Sequence, residues 1–153
     1  MSRAFVKDQD DVVDEAPERP VSPHPNLVTE RGLGLIDAEV ERLRKELAHA
    51  MQAADRQAIA ILSRDLRYWT QRRTTAQLVE TPKDRAVANF GHRVTILRED
   101  GRRQTYAIVG EDEADPAKGS VAYVAPVARA ILGRAVGDEI TLPGGTAEIE
   151  KIE

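Results

Sequence analysis

The sequence predicts an α+β protein: an N-terminal antiparallel α-helical hairpin of coiled-coil type, followed by an antiparallel-sheet domain with one short helix. Three observations carry this reading. Between residues 36 and 76 apolar positions recur by threes and fours in two successive runs, the spacing of paired helices. Beyond Pro82 the pattern changes to short strand-like runs punctuated by Asp100-Gly101 and Pro143-Gly144-Gly145, the residues of hairpin turns. Pro126–Leu132, opened by proline and closed by Gly133, has the punctuation of a single short helix.

Composition agrees. Of 153 residues, 31% are charged and 4% aromatic, a large charged surface for a small core, as a protruding two-helix arm requires. The formal charge of −4 argues against broad nucleic-acid binding, and no direct sequence-specific recognition is expected. Without cysteine there is no disulfide framework and no thiolate metal site. No stretch reaches membrane-spanning length and the N-terminus lacks an apolar signal region, so the expectation is a cytoplasmic monomer away from membranes.

Along the chain, residues 1–27 hold six acids, three bases and four prolines (Pro17, Pro20, Pro23, Pro25), which predicts a disordered, acidic and proline-rich tail. The hairpin is expected over 28–80. Thr29 suits a helix N-cap and Glu30 places an acid in the first turn, where the helix dipole favours it. The first seam runs Ile36, Val40, Leu43, Leu47, Ala50, Ala54, with Gly32 and Gly34 expected to delay firm helix until Leu35. Glu41 and Lys45 stand in the favourable acid-before-base order. Asp55 is a candidate N-cap for the second helix, whose seam runs Ile59, Leu62, Leu66, Trp69, Arg73, Ala76. Arg73 at a core-type position is expected to extend its head toward water. One continuous helix over 30–78, dimerising with another chain, is the alternative, since neither Gly nor Pro breaks 52–57.

The third segment, 81–153, is expected to place strands at 93–97, 104–109, 121–124, 139–142 and 146–152. Its densest feature is Val109 to Gly133, where Glu111, Asp112, Glu113 and Asp115 precede Pro116 and a strand leads into Pro126. A GEDEAD loop followed at this spacing by APVARAILG resembles the C-terminal domain of the GreA/GreB transcription factors. Phe90-Gly91, Tyr106–Gly110 and Ala135–Asp138 match further points, as do Asn26–Thr29 with Gly32 before the first helix and Ala76–Val79 after the second.

The resemblance implies an FKBP-like C-terminal domain that docks on RNA polymerase at the rim of its secondary channel, while the hairpin reaches toward the catalytic centre. By position, the docking residues correspond to Asp112, Glu113, Asp115, Pro126, Ala128 and Arg129, with Ala125 where the family usually has serine. The family's hairpin tip carries an Asp and, three residues on, a Glu, a pair suited to holding a second Mg²⁺ for RNA cleavage. Here the tetrapeptide is Asp55-Arg56-Gln57-Ala58, so the second acid is missing and Asp55 reads first as a helix cap. The arms also read as shorter than the cleavage factors' by two to three turns, a loss of ~10–15 Å in reach. The expectation is therefore a non-enzymatic, polymerase-binding regulator without cofactor or metal, similar in build to the regulators of nucleoside diphosphate kinase. The competing reading is a true elongation factor that stimulates RNA cleavage in backtracked complexes, with Asp55 as its tip acid.

Other signals are weaker. His24, His49 and His92 lack ligand spacing, and the acidic run lacks the alternating oxygens of a calcium loop. Arg64, Arg67, Arg72 and Arg73 read as a solvated helix face. An FKBP-like fold does not by itself carry prolyl isomerase activity.

Overall fold

The structure, a computed structural model, describes residues 16–153. They form two compact units: residues up to Pro23 with Leu35–Thr75, and His24–Gly34 with Ala76–Glu153.

The first unit contains the expected hairpin. Helix α1 spans Glu30–Gln52 and α2 spans Arg56–Thr75, lengths of about 34 and 30 Å at 1.5 Å per residue. Asp37 near the start of α1 pairs with Arg73 near the end of α2 at 2.5 Å, so the helices run antiparallel. The single 30–78 helix is thereby excluded. Ile36, Val40, Leu43 and Ala50 are buried along the predicted seam, whereas Ala54 is exposed because the helix has already ended. On α2 the buried arginine is Arg72, at 2% exposure, and Arg73 lies outside. The expected step of four after Trp69 is a step of three, as a period of 3.6 produces when the stripe drifts around the helix. Outward-facing pairs include Glu41 with Lys45, and Arg42 between Glu39 and Glu46. The hydrogen bond from Arg42, with its charge, holds the Glu39 carboxyl below its ordinary range.

The tip is a three-residue turn. The Asp55 amide donates to the Ala50 carbonyl and the Ala54 amide to that of Met51, the double bond of a Schellman ending. Ala54 occupies the left-handed position at φ 52°, where glycine would avoid the Cβ clash. Asp55 then accepts the Ala58 amide at 3.1 Å and caps α2.

Helix α1 is formed from Glu30 onward rather than from Leu35. Thr29 caps it by accepting the Gly32 amide at 2.9 Å. Gly32 is there for space: a Cβ would lie 2.6 Å from Oε1 of Glu113. The segments flanking the helices pair as short parallel strands, β1 (Leu27–Val28) with β2 (Gln77–Leu78).

Residues 1–15 of the expected tail lie outside the described residues. Residues 16–27, part of the same expected tail, make specific contacts. Glu18 bonds Arg67, the Arg19 guanidinium stacks 4.0 Å over the Tyr68 ring, and Asn26 is buried. The prolines restrict the backbone of this stretch, which lowers the entropy lost when these contacts form.

The larger sheet of the second unit comprises β3 (Arg93–Arg98), β4 (Arg103–Val109), β5 (Ser120–Ala122), β6 (Glu139–Leu142) and β7 (Gly145–Ile152), ordered β5-β4-β3-β7-β6. All pairs are antiparallel except β4 with β5, which run parallel. Val94, Ile96, Ile108, Ile140 and Ile149 alternate inward, and helix α3 (Pro126–Ile131) adds Ala128 and Ile131 to their core. A register shift between Thr95 and Ile96 accommodates an extra residue on β7, so its inward positions step from Ile149 to Ile152. His92 is fully buried, accepting the Asn89 amide on Nδ1 and bonding the Pro82 carbonyl through Nε2 at 2.8 Å. It is a structural residue that fixes the connection into β3.

Two predictions follow from the helix ends. Gly34→Ala, with open space at its Cβ, should raise stability by about 0.5–1 kcal/mol, while Gly32→Ala should lower it by displacing Glu113. Urea unfolding of the two variants, monitored by circular dichroism, reads the opposite signs. At the tip, Asp55→Ala should cost about 1 kcal/mol and Asp55→Asn only a few tenths, because an amide oxygen caps as well as a carboxylate. The same unfolding measurement checks it.

Candidate functional site

The parallel pairing of β4 with β5 builds the candidate site. Val109 lies opposite Ala122, so the segments following both strands leave from one end of the sheet. After β4 comes the acidic loop and after β5 the start of α3. The Tyr123 amide bonds the Val109 carbonyl at 2.9 Å, which stitches the two exits together. The Tyr123 hydroxyl donates to the Pro25 carbonyl at 2.6 Å, and its ring meets Phe90 edge to face at 5.8 Å. Gly110 is required by close approach, since any Cβ there would collide with the Leu27 carbonyl.

The acidic loop is wound, not open. The amides of Glu113 and Ala114 both donate to the Gly110 carbonyl, at 3.2 and 3.1 Å. The Asp115 amide donates to Oγ of Ser120 at 2.8 Å, and a 3-10 turn over Pro116–Lys118 follows. Winding a four-acid run tightly brings like charges together, and one of the acids is turned inward.

That acid is Glu113, one of the residues expected to dock. Its side chain is only 6% exposed. Oε1 accepts the Thr29 hydroxyl at 2.5 Å and Oε2 accepts Arg31 at 3.1 Å. The carboxylate thus sits at the N-terminus of α1, where the helix dipole and the capping hydroxyl favour negative charge. Ala128 is also not a surface residue: at 0% exposure it belongs to the sheet core. The remaining four expected residues do reach the surface at this end. Asp112 and Asp115 are half-buried, Pro126 and Arg129 exposed. Asp115 keeps Lys118 4.0 Å away, a loose and solvated pair.

Pro126 occupies the first turn of α3, and Ala125 at the N-cap makes no side-chain bond to the helix. The missing hydroxyl therefore leaves the first amides of α3 without a side-chain cap from that position. The loop is carried by Arg31, which the sequence did not single out, and by Gly110, Thr29 and Gly32 in a new role. Glycine three residues after a capping threonine was the one signal of a close approach.

At the hairpin tip, Asp55 is the only acid between Glu46 and Asp65. One of its oxygens is engaged by the Ala58 amide, and Ala58 itself occupies the third helical position. Among the described residues, no group of three His, Asp or Glu side chains is placed to hold a metal ion. No helix among them is long and apolar enough to cross a membrane.

Residues 82–153 match the family model described as transcription elongation factor, GreA/GreB, C-terminal. A transcription elongation factor GreB from Neisseria meningitidis serogroup B is 39% identical over 93 residues, covering 58% of this chain and 57% of the relative. The chain thus spans little more than half the length of that relative. A transcription elongation factor GreA from Methylobacterium sp. (strain 4-46) is 32% identical over 145 residues, covering 80% of this chain and 92% of the relative. Among solved structures, GreA factor homolog 1 of Thermus thermophilus covers 85% of this chain and 99% of its own at 19% identity and a TM-score of 0.41, too distant to add to the assignment. With a matching C-terminal sheet domain and a GreA relative covered almost end to end, the chain belongs to the GreA/GreB family.

Proposed function

We propose that this protein is a monomeric, cytoplasmic regulator of transcription that binds RNA polymerase at the rim of the secondary channel and inserts its hairpin without stimulating RNA cleavage. In this reading 81–153 is the docking domain and 28–80 the inserted arm. The observation that carries it is the tip. A second Mg²⁺ needs several hard oxygen ligands, and one carboxylate is a poor anchor. Asp55 already spends an oxygen on capping α2, and the position three residues on is Ala58. The shorter reach inferred from the sequence acts in the same direction, because a ligand must lie within about 2 Å of the ion.

Docking is assigned to Asp112, Asp115, Pro126 and Arg129, with Glu113 supporting the loop from inside. The half-buried acids suit a basic rim. Contacts of that kind set encounter rate and weaken with salt more than they add raw affinity. The names of the relatives favour the second reading, a cleavage-stimulating elongation factor, and both readings share this dock.

Backtracked complexes of core RNA polymerase separate the two. The protein should compete with a GreB-type factor and slow its RNA shortening while producing none of its own, and Asp55→Asn should change neither result. Asp112→Lys with Asp115→Lys should weaken competition by about tenfold, equal to about 1.4 kcal/mol. RNA shortening by the protein alone that Asp55→Asn abolishes would establish the cleavage reading.

A further inference from the structure

The end of the sheet that carries the acidic loop also carries a basic one. Arg93 at the start of β3 lies opposite Ala107 on β4, and the Gly91 amide donates to the Ile108 carbonyl at 2.7 Å. The segment entering β3 therefore runs beside the point where β4 gives way to the acidic loop. Residues 81–87 of that segment are all exposed. One buried side chain holds both ends of the loop they form: His92 bonds the Pro82 carbonyl through Nε2 and accepts the Asn89 amide on Nδ1. A second tie runs from the Ala88 amide to the Arg134 carbonyl at 2.8 Å. The root is packed closely as well, since a Cβ at Gly91, where φ is 89°, would fall 2.1 Å from Oγ1 of Thr81.

The charges of this loop are sorted. Asp84 turns back to accept the Ala86 amide at 2.9 Å, and Glu153, at the end of the neighbouring β7, bonds Lys151 at 2.6 Å. Lys83 and Arg85 on the loop, and Arg93 beside it, are exposed and form no ion pair among the described residues. The Glu153 carboxyl is held below its ordinary range by the Lys151 hydrogen bond first, and by the charges of Lys151, Arg93 and Arg85 as well. Arg85 and Arg93 thus come together at one place, a basic patch on a chain of formal charge −4.

We infer, resting on the docking reading above, that this loop is the second half of the polymerase dock. Lys83, Arg85 and Arg93 meet acidic residues on the same protein surface whose basic residues meet Asp112 and Asp115. The two loops leave adjacent strands at one end of the sheet, so one flat partner surface can touch both. A loop already closed by His92 loses little freedom on contact, which favours binding. Adjacent patches of opposite sign also fix register, because a shifted or inverted partner would set like charges against each other. Nucleic acid fits less well. Its phosphates would have to pass the neighbouring acids, and the patch offers no stacking ring, since Phe90 is buried.

Competition with a GreB-type factor for core RNA polymerase free of nucleic acid tests the inference in the full chain. Lys83→Glu with Arg85→Glu should weaken binding by about tenfold at low salt, and Lys83→Gln with Arg85→Gln by about threefold. Both losses should shrink as salt rises. The side chains are exposed, so the urea unfolding midpoint should stay unchanged. Asp112→Lys with Asp115→Lys is the reference arm. If that pair weakens binding and the glutamate pair does not, the inference is overturned while the docking reading stands. If the unaltered chain does not compete for core polymerase, the docking reading fails and takes the inference with it. A loss confined to polymerase that holds DNA and RNA would overturn the protein partner and give the loop to phosphates.

Discussion

The hydrogen bond from Thr29 to Glu113 is the contact on which the candidate site depends. It joins residues 84 positions apart in sequence, and three local choices meet in it. Threonine is the cap that begins α1. Glycine at 32 leaves room for the carboxylate, and Gly110 lets the loop's root approach Leu27. Replace any of these and a buried acid loses its partners or its space. A charge left buried without partners is costly, which is why the arrangement is completed by Arg31 and by the positive end of the helix.

Seen this way, the acidic loop divides its labour. Glu113 holds the loop against the chain segment that begins the hairpin, and Asp112 and Asp115 remain at the surface beside Pro126 and Arg129. The parallel pairing of β4 and β5 makes this possible, because it sends the loop and α3 out from one end of an otherwise antiparallel sheet. The tip follows a comparable economy. Asp55 takes over from α1 and starts α2 within one turn, with Ala54 held in a left-handed conformation that costs roughly 1–2 kcal/mol. An acid engaged in folding the turn has fewer oxygens to offer an ion.

Much of this was legible in the residues. Periodicity located both helices, Asp100-Gly101 and Pro143-Gly144 located the sheet hairpins, and Thr29 and Asp55 were readable as caps because their bonds are local. What sequence order concealed was depth and distance. Arg72 and Arg73 are adjacent, and only the drift of the helical stripe decides which one is buried. Ala128 carries the docking motif's pattern yet faces the core, sharing the inward side of α3 with Ile131 three residues on. Glu113 looked like its acidic neighbours because its partners lie far earlier in the chain. The proline-rich stretch at 16–25 read as a tail on composition, while a cation–π contact and side-chain pairs hold it to α2.

The most direct measurement is a double-mutant cycle on folding stability with Thr29→Val, Glu113→Gln and the pair. If Glu113 is the inner support of the loop, the two changes should be coupled by about 1.5–3 kcal/mol, the range for a hydrogen bond to a charged group. Additive effects, agreeing within about 0.5 kcal/mol, would show that the two side chains act independently and would return Glu113 to the surface acids.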